Sequence, residues 1–285
     1  MQLEMTIVDA FTDTVFKGNS AAVIVLDKWI DDALMQSIAM QNKLSETAFL
    51  VRQAVQSIEA DNTTNRPIPS YHIRWFSPLQ EVEFCGHATL ASAYLLFDTD
   101  SSLSQVQFYA KAVGVLTLTK RDDGKIQMDF PNQKPERITS LPQALIEGLS
   151  IKPVEVYQNQ KAYFVIYEQP SDVLNVKQDT QVLAKLAPYG VAVTCQIQNK
   201  ESSNSPYSKY DFISRYFSSA IGGEDPVTGS IHTALAPLWA EKLSKDTLLA
   251  YQASSRGGEL ECEVQGDRVL IAGHAVCYLS GTIEI

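Results

Sequence analysis

Read for apolar and polar positions, the chain is dominated by strands. The segments 5–11 (MTIVDAF) and 21–26 (AAVIVL) have strand composition. They are joined through TDTVFKGNS, where Phe16, Gly18 and Asn19 supply turn chemistry. Residues 31–42 (DDALMQSIAMQN) have helical spacing through Leu34, Ile38 and Met40, with two aspartates suited to a first turn. Strands are expected over SETAFLV and YHIRWFS, and again over QVQFYA, GVLTLTK and KIQMDF. Between SETAFLV and YHIRWFS lies a polar, proline-containing hairpin loop. The segment 131–142 (PNQKPERITSLP) reads as a crossing between halves. Beyond it the style repeats: a short helix at PQALIEGLS, strands at VEVYQ and KAYFVIYE, and a helix at DTQVLAKLAPYG ended by proline and glycine. Strands follow at VAVTCQIQ and KYDFISRYFS, then at LLAYQAS, GELECEV, RVLIAG and AVCYLSGTIEI.

Two segments break this pattern. HATLASAYLLF and SIHTALAPLWAEKL are apolar on nearly every helical face, as expected of helices buried all round. Pro237 must bend the second or loosen one of its turns. Strands outnumber helices and do not alternate strictly with them. An α+β fold is expected: two halves, each a sheet wrapped round one apolar helix, with a cleft between. The boundaries are 1–130 and 131–285, with the last strand able to return to the first half.

Both buried helices begin in the same way. EVEFCGHATLASAYLLF (81–97) runs through Cys85-Gly86-His87 into the first, and EDPVTGSIHTALAPLWA (224–240) runs through Thr228-Gly229-Ser230 into the second. A helix N-terminus carries unpaired amide donors and partial positive charge, so it holds a carboxylate without help from lysine or arginine. Gly86 and Gly229 let the backbone approach a ligand closely. Two such termini facing one cleft would hold a small carboxylic acid, with Cys85, His87, Thr228 and Ser230 beside it. Each feature also has a structural explanation. A glycine closes a tight turn, Ser230 caps a helix, Asp225 forms a turn before Pro226, Cys85 is a small buried hydrophobe, and His87 fills a polar gap. The same grammar twice, with ionisable groups both times, favours function. Glu46, in NKLSETAF, is the further candidate. In a desolvated cleft its pKa would rise and it would accept a proton near neutral pH. The alternative is the wet face of an edge strand.

Composition narrows the classes. The chain has 285 residues, 45% hydrophobic and 20% charged, with a net charge of −10. Broad binding to nucleic acid or to an anionic membrane is disfavoured. No apolar run approaches the roughly 20 residues of a membrane span. No export signal is visible, and a cytoplasmic protein is expected. Cys85, Cys195, Cys262 and Cys277 form no CxxC pair, and His72, His87, His232 and His274 are scattered. There is no HExxH, no Walker loop and no GxGxxG after a strand. No metal or cofactor is expected.

Taken together, DAFT…F.GNSAAV, LSETAF, EVEFCGHATLA, EDPVTGSIHTALAP.WA and YQASSRGGEL resemble the phenazine-biosynthesis (PhzF-like) isomerase family, in order from residue 7 to the C-terminus. The resemblance implies a diaminopimelate-epimerase-like fold of two similar halves with the active site in the cleft between them. It also implies a homodimer and a cofactor-independent isomerase that moves a proton on a small amino or hydroxy carboxylic acid. Carried over by position, it gives Glu46 as the base, with His87, Asp225 and Ser230 sharing protons and holding polar groups. Gly86, Thr228, Gly229 and Asn19 line the substrate. Arg256, before two glycines, either reaches an anionic group or simply lies in a solvent-exposed turn. Cys85 matches one thiol of the epimerase relatives, but Pro-Val-Thr-Gly at the second joint offers no partner thiol. A one-thiol epimerase scheme with Glu46 or Asp225, and a catalytically silent binding protein, are the competing readings. The loops at 53–70 and 197–209 are expected to shape or cover the cleft.

Overall fold

The computed structural model describes residues 1–53, 67–198 and 205–285. Most of the two loop segments expected to cover a cleft therefore lies outside the described residues. In chain order the first elements are β1 (Gln2–Ala10), β2 (Asn19–Leu26), α1 (Asp32–Asn42), β3 (Glu46–Arg52), β4 (Ser70–Phe76), β5 (Glu81–Val82) and α2 (Gly86–Thr99). Then come β6 (Gln105–Ala110), β7 (Gly114–Lys120), β8 (Ile126–Pro131), β9 (Glu136–Ile138), α3 (Gln143–Glu147), β10 (Glu155–Gln158), β11 (Ala162–Ile166), α4 (Pro170–Asn175) and α5 (Thr180–Leu183). The chain continues with β12 (Gly190–Gln196), β13 (Phe212–Ser218), β14 (Gly223–Asp225), α6 (Gly229–Leu243), β15 (Thr247–Gln252), β16 (Gly258–Gln265), β17 (Arg268–Gly273) and β18 (Ala275–Glu284). This is an α+β fold of mixed sheet with few helices. Its contacts divide into two compact units, Met1–Asp129 with Ala272–Ile285, and Phe130–Ile271.

In the first unit the strands lie in the order β18, β1, β2, β3, β4, β6, β7, β8. Pairing is antiparallel except at β2–β3 and β4–β6. The short β5 pairs with β4 beyond the end of β6. Strand alternation sorts the side chains. Ala22, Ile24, Phe49 and Phe76 join Met35, Ile38 and Ala39 of α1 in one core layer. Ala21, Val23, Glu46 and Ala48 therefore point to the other face, and α2 packs against β1, β2 and β3. The buried side of α1 runs through Met35, Ile38 and Ala39, an i, i+3, i+4 set, and Met40 is exposed, so the expected placement of Met40 on the apolar face is corrected. Asp31 caps α1 by accepting from the Ala33 amide at 2.9 Å.

The second unit follows the order β9, β10, β11, β12, β13, β15, β16, again antiparallel except at two joins, β11–β12 and β13–β15. The short β14 pairs with β13 beyond β15. Thus α2 and α6 each follow a short strand and precede a strand that joins the sheet in parallel. One face carries Tyr163, Val165, Val191, Val193, Ile213 and Phe217 against the small helices. The other carries Phe212, stacked on His232 and Trp239 of α6, and Thr194, whose hydroxyl accepts from Trp239 Nε1 at 3.0 Å.

Three local expectations change. The helix expected over 179–190 is only the four-residue α5 and a tight turn at Ala184–Leu186, because Pro188 disfavours helical backbone at the residue before it. The crossing at 131–142 contains β9, too short to show alternation. The helix α4 carries a capping box, Gln169 with Asp172, and a proline at its start. At Pro237, α6 runs on without interruption. Proline has no N–H for the Thr233 carbonyl one turn back, and that carbonyl accepts instead from the Gln133 amide at 3.1 Å. The expected disturbance is met by a bond from outside the helix.

Candidate functional site

The beginnings of α2 and α6 organise the polar side chains of their own units. In the first unit, β3 opens on Glu46, which its alternation with Ala48 turns toward α2, and only 9% of it is exposed. Cys85 is the N-cap of α2, followed by Gly86 and His87; all three are buried. Glu46 Oε2 lies 3.1 Å from His87 Nε2 and 3.4 Å from Cys85 Sγ. The thiol is also 3.4 Å from His87 Nδ1. Asn19, at the start of β2 and fully buried, places its Nδ2 3.2 Å from His87 Nδ1, and its Oδ1 accepts from the Ser45 hydroxyl at 2.9 Å. Nε2–H faces Glu46 in both states of the ring: with the Asn19 amide donating to Nδ1 the imidazole is neutral, and with the amide turned so that its oxygen accepts from Nδ1–H the ring is charged. Burial pushes the Glu46 carboxyl up. The hydrogen bond from His87 and its charge, with the Cys85 thiol, outweigh that push and hold the carboxyl below its ordinary value. The expected rise is therefore corrected: the desolvation is present, but a cation donor stands against it.

The Cys85 side chain makes no cap hydrogen bond to α2, and no acidic residue lies in its first turn. Nor does Thr228, the N-cap of α6, cap its own helix. Its hydroxyl donates to Asp225, while Gln252 accepts from its amide at 2.8 Å and donates to the Asp225 carbonyl at 2.8 Å. Asp225 and Thr228 are thus held together by Gln252, which sequence reading passed over inside the strand LLAYQAS. Ser230 is the second residue of α6, so it is not that helix's cap. Arg256 is half-buried on the turn before β16, and that turn is fixed beside Pro226 by the Ser254 hydroxyl donating to its carbonyl at 2.7 Å. Gly257 is required there: its φ is +69°, and a Cβ would lie 1.9 Å from the Tyr251 hydroxyl. Burial draws His232, one turn into α6, down to about 4 against the backbone bond to Thr228 that favours its charge, so it is neutral near pH 7. In the first unit Ser45 is the comparable omission; it stood next to Glu46 in LSETAF.

The model of the phenazine biosynthesis-like proteins (PhzC-PhzF) matches residues 8–281. The chain belongs to this family. An uncharacterized isomerase of Pseudomonas aeruginosa is 41% identical over 286 residues, covering all of both chains. Another, from Halalkalibacterium halodurans, is 42% identical over 283 residues, 98% of this chain and 97% of the relative. Among solved structures, a PhzF-family protein of Enterococcus faecalis superposes with a TM-score of 0.86 at 39% identity over the full length of both. This PhzF-family chain is thus an isomerase by its relatives. Among its described residues no helix is long and apolar enough to cross a membrane.

Proposed function

We propose that the protein is a cofactor-independent isomerase that moves a proton on a small amino or hydroxy carboxylic acid, with Glu46 as general base. What carries the reading is the buried contact of Glu46 with His87 and Cys85 at the start of α2. Glu46 takes the proton from the acidic carbon of the substrate and returns it elsewhere on the skeleton. His87 holds the carboxylate ionised before transfer, since its donor and charge favour the anion. The first-turn amides of α2 attract the substrate carboxylate and stabilise charge spreading toward an enolate-like state. Asn19 fixes the His87 ring. In the same reaction Asp225 and Ser230 hold polar substrate groups, Thr228 and Gly229 contact the acid, and Arg256 offers a cation to it. In this reading the chain acts as a homodimer.

The second reading is one-thiol epimerisation, favoured by the 3.4 Å contact of Cys85 Sγ with Glu46 Oε2. One experiment separates both from a silent binding protein: solvent-deuterium incorporation, followed by NMR across a panel of small amino and hydroxy acids. Incorporation lost in Glu46→Gln and kept in Cys85→Ser supports the isomerase. Loss in Cys85→Ser with inversion of the labelled carbon supports the epimerase. Tight binding of an acid without incorporation overturns both.

A further inference from the structure

The three groups that touch at the start of α2 form a donor set for a metal ion as well as for a proton. Glu46, Cys85 and His87 each offer one ligand atom, all buried, all within 4.8 Å of one another. The triangle they draw is specific. Sγ to Nε2 is 3.8 Å, Nε2 to Oε2 is 3.1 Å, and Oε2 to Sγ is 3.4 Å. With ordinary zinc–sulfur, zinc–nitrogen and zinc–oxygen bonds, the ligands of a tetrahedral zinc stand about 3.3–3.6 Å apart. Sγ now lies nearer Nδ1, at 3.4 Å, than Nε2, so a cation on the Nε2 lone pair needs the His87 ring to turn about its Cβ–Cγ bond; with the ring so turned, the cation meets three ligands and keeps its fourth position open.

From this geometry we propose that Glu46, Cys85 and His87 form a binding site for a thiophilic divalent cation, zinc foremost. The thiol and imidazole select against magnesium and calcium, which take oxygen ligands. Binding forms one Zn–S, one Zn–N and one Zn–O bond. The Cys85 thiol gives up its proton to solvent. The neutral imidazole binds through Nε2, so its proton moves from Nε2 to Nδ1. The shell behind the ring accommodates that change. Turned end for end, the Asn19 amide accepts from Nδ1–H through Oδ1, and its Nδ2 donates to the Ser45 hydroxyl, which accepts as readily as it donates. The oxygen that would take the substrate proton is then a metal ligand, so zinc blocks the reaction. That consequence rests on the acid–base reading; the binding itself does not.

The test is a titration of the purified full chain with cobalt(II), followed by zinc competition. One equivalent of cobalt is expected to give a thiolate-to-cobalt charge-transfer band that one equivalent of zinc removes. Cys85→Ser loses the band and weakens zinc about 100-fold, while Cys277→Ser, at a half-buried thiol elsewhere in the unit, keeps both. Asn19→Ala weakens zinc about 10-fold. His87→Asn, checked by circular dichroism for folding, serves as a second loss variant. Absence of the band in the wild-type chain, or a band that survives Cys85→Ser, overturns the site. The two readings fail separately. If the metal binds but deuterium exchange continues at full rate under saturating zinc, the site stands and Glu46 is not the base. If exchange depends on Glu46 but no metal binds, the reverse holds.

Discussion

The two units use one wiring plan for opposite ends. In each, a short strand leads into a buried helix whose first three positions are an N-cap, a glycine and a polar residue: Cys85-Gly86-His87 in one, Thr228-Gly229-Ser230 in the other. Four residues after each N-cap, a side chain bonds back to the N-cap carbonyl: Thr89 Oγ1 to Cys85 at 2.6 Å, His232 Nδ1 to Thr228 at 2.8 Å. The difference lies in the strand that joins its neighbour in parallel. β3 opens on Glu46, whereas β12 opens on Gly190, where a Cβ would lie 2.2 Å from the Tyr216 hydroxyl. One unit fills that place with a carboxylate and the other with a phenol ring reaching across from β13. The first helix start therefore gathers ionisable groups, while the second gathers a threonine–aspartate–glutamine lattice and a neutral histidine. The plan is shared; the residue at one strand position decides whether the strand presents a carboxylate or makes room for a phenol ring.

The largest effect should come from removing the contrast at its source. Glu46→Gln is expected to lower solvent-deuterium exchange about 10²- to 10⁴-fold with folding intact, measured by NMR on the best substrate of the panel. Next comes the buried histidine of α6. Its pKa lies at about 4 in the fold against 6.5 in an open chain, so the unfolded chain binds more protons between those values. Stability from His232 is fully present above pH 6.5 and is lost as the pH falls toward 4, by about 3 kcal/mol. Denaturant melts across that range check this, and His232→Asn should flatten the fall.

Gly190→Ala, which forces a Cβ against Tyr216, is expected to destabilise by about 1–3 kcal/mol and lower the melting temperature, while the reaction chemistry in the first unit persists. The smallest effect is a displacement on the pH axis. In His87→Asn the burial of Glu46 is no longer opposed by an imidazolium. Its pKa rises, and the acid limb of the kcat/KM profile moves to higher pH. An unmoved limb would detach His87 from Glu46.

The buried helices and fifteen of the eighteen described strands could be read from the sequence because they rest on apolar pattern alone, whereas β5, β9 and β14 are too short to show it. So could the placing of Cys85, Gly86 and His87 at one buried helix start, since adjacent residues at a strand–helix joint share one place. The sign of the Glu46 shift was hidden because it depends on a partner 41 positions away, and pattern reports burial but not what a group is buried against. Gln252 and Ser45 were missed for a related reason: each works by bonding another residue's amide or side chain, and a lone glutamine or serine in a strand carries no such signal. Met40 was misplaced because one apolar residue at the wrong helical angle looks, on paper, like its neighbours.

The outermost strand of the first unit, β18, is supplied by the far end of the chain and pairs with β1 from Gln2–Glu284 to Ala10–Ala275. On the ribosome, then, β1 must wait for β18, and the whole of the second unit emerges in the interval. The carboxylate-bearing sheet has an open margin until β18 arrives. A polypeptide cut before β18 would carry Glu46, Cys85 and His87 yet lack one strand of the sheet that holds Glu46.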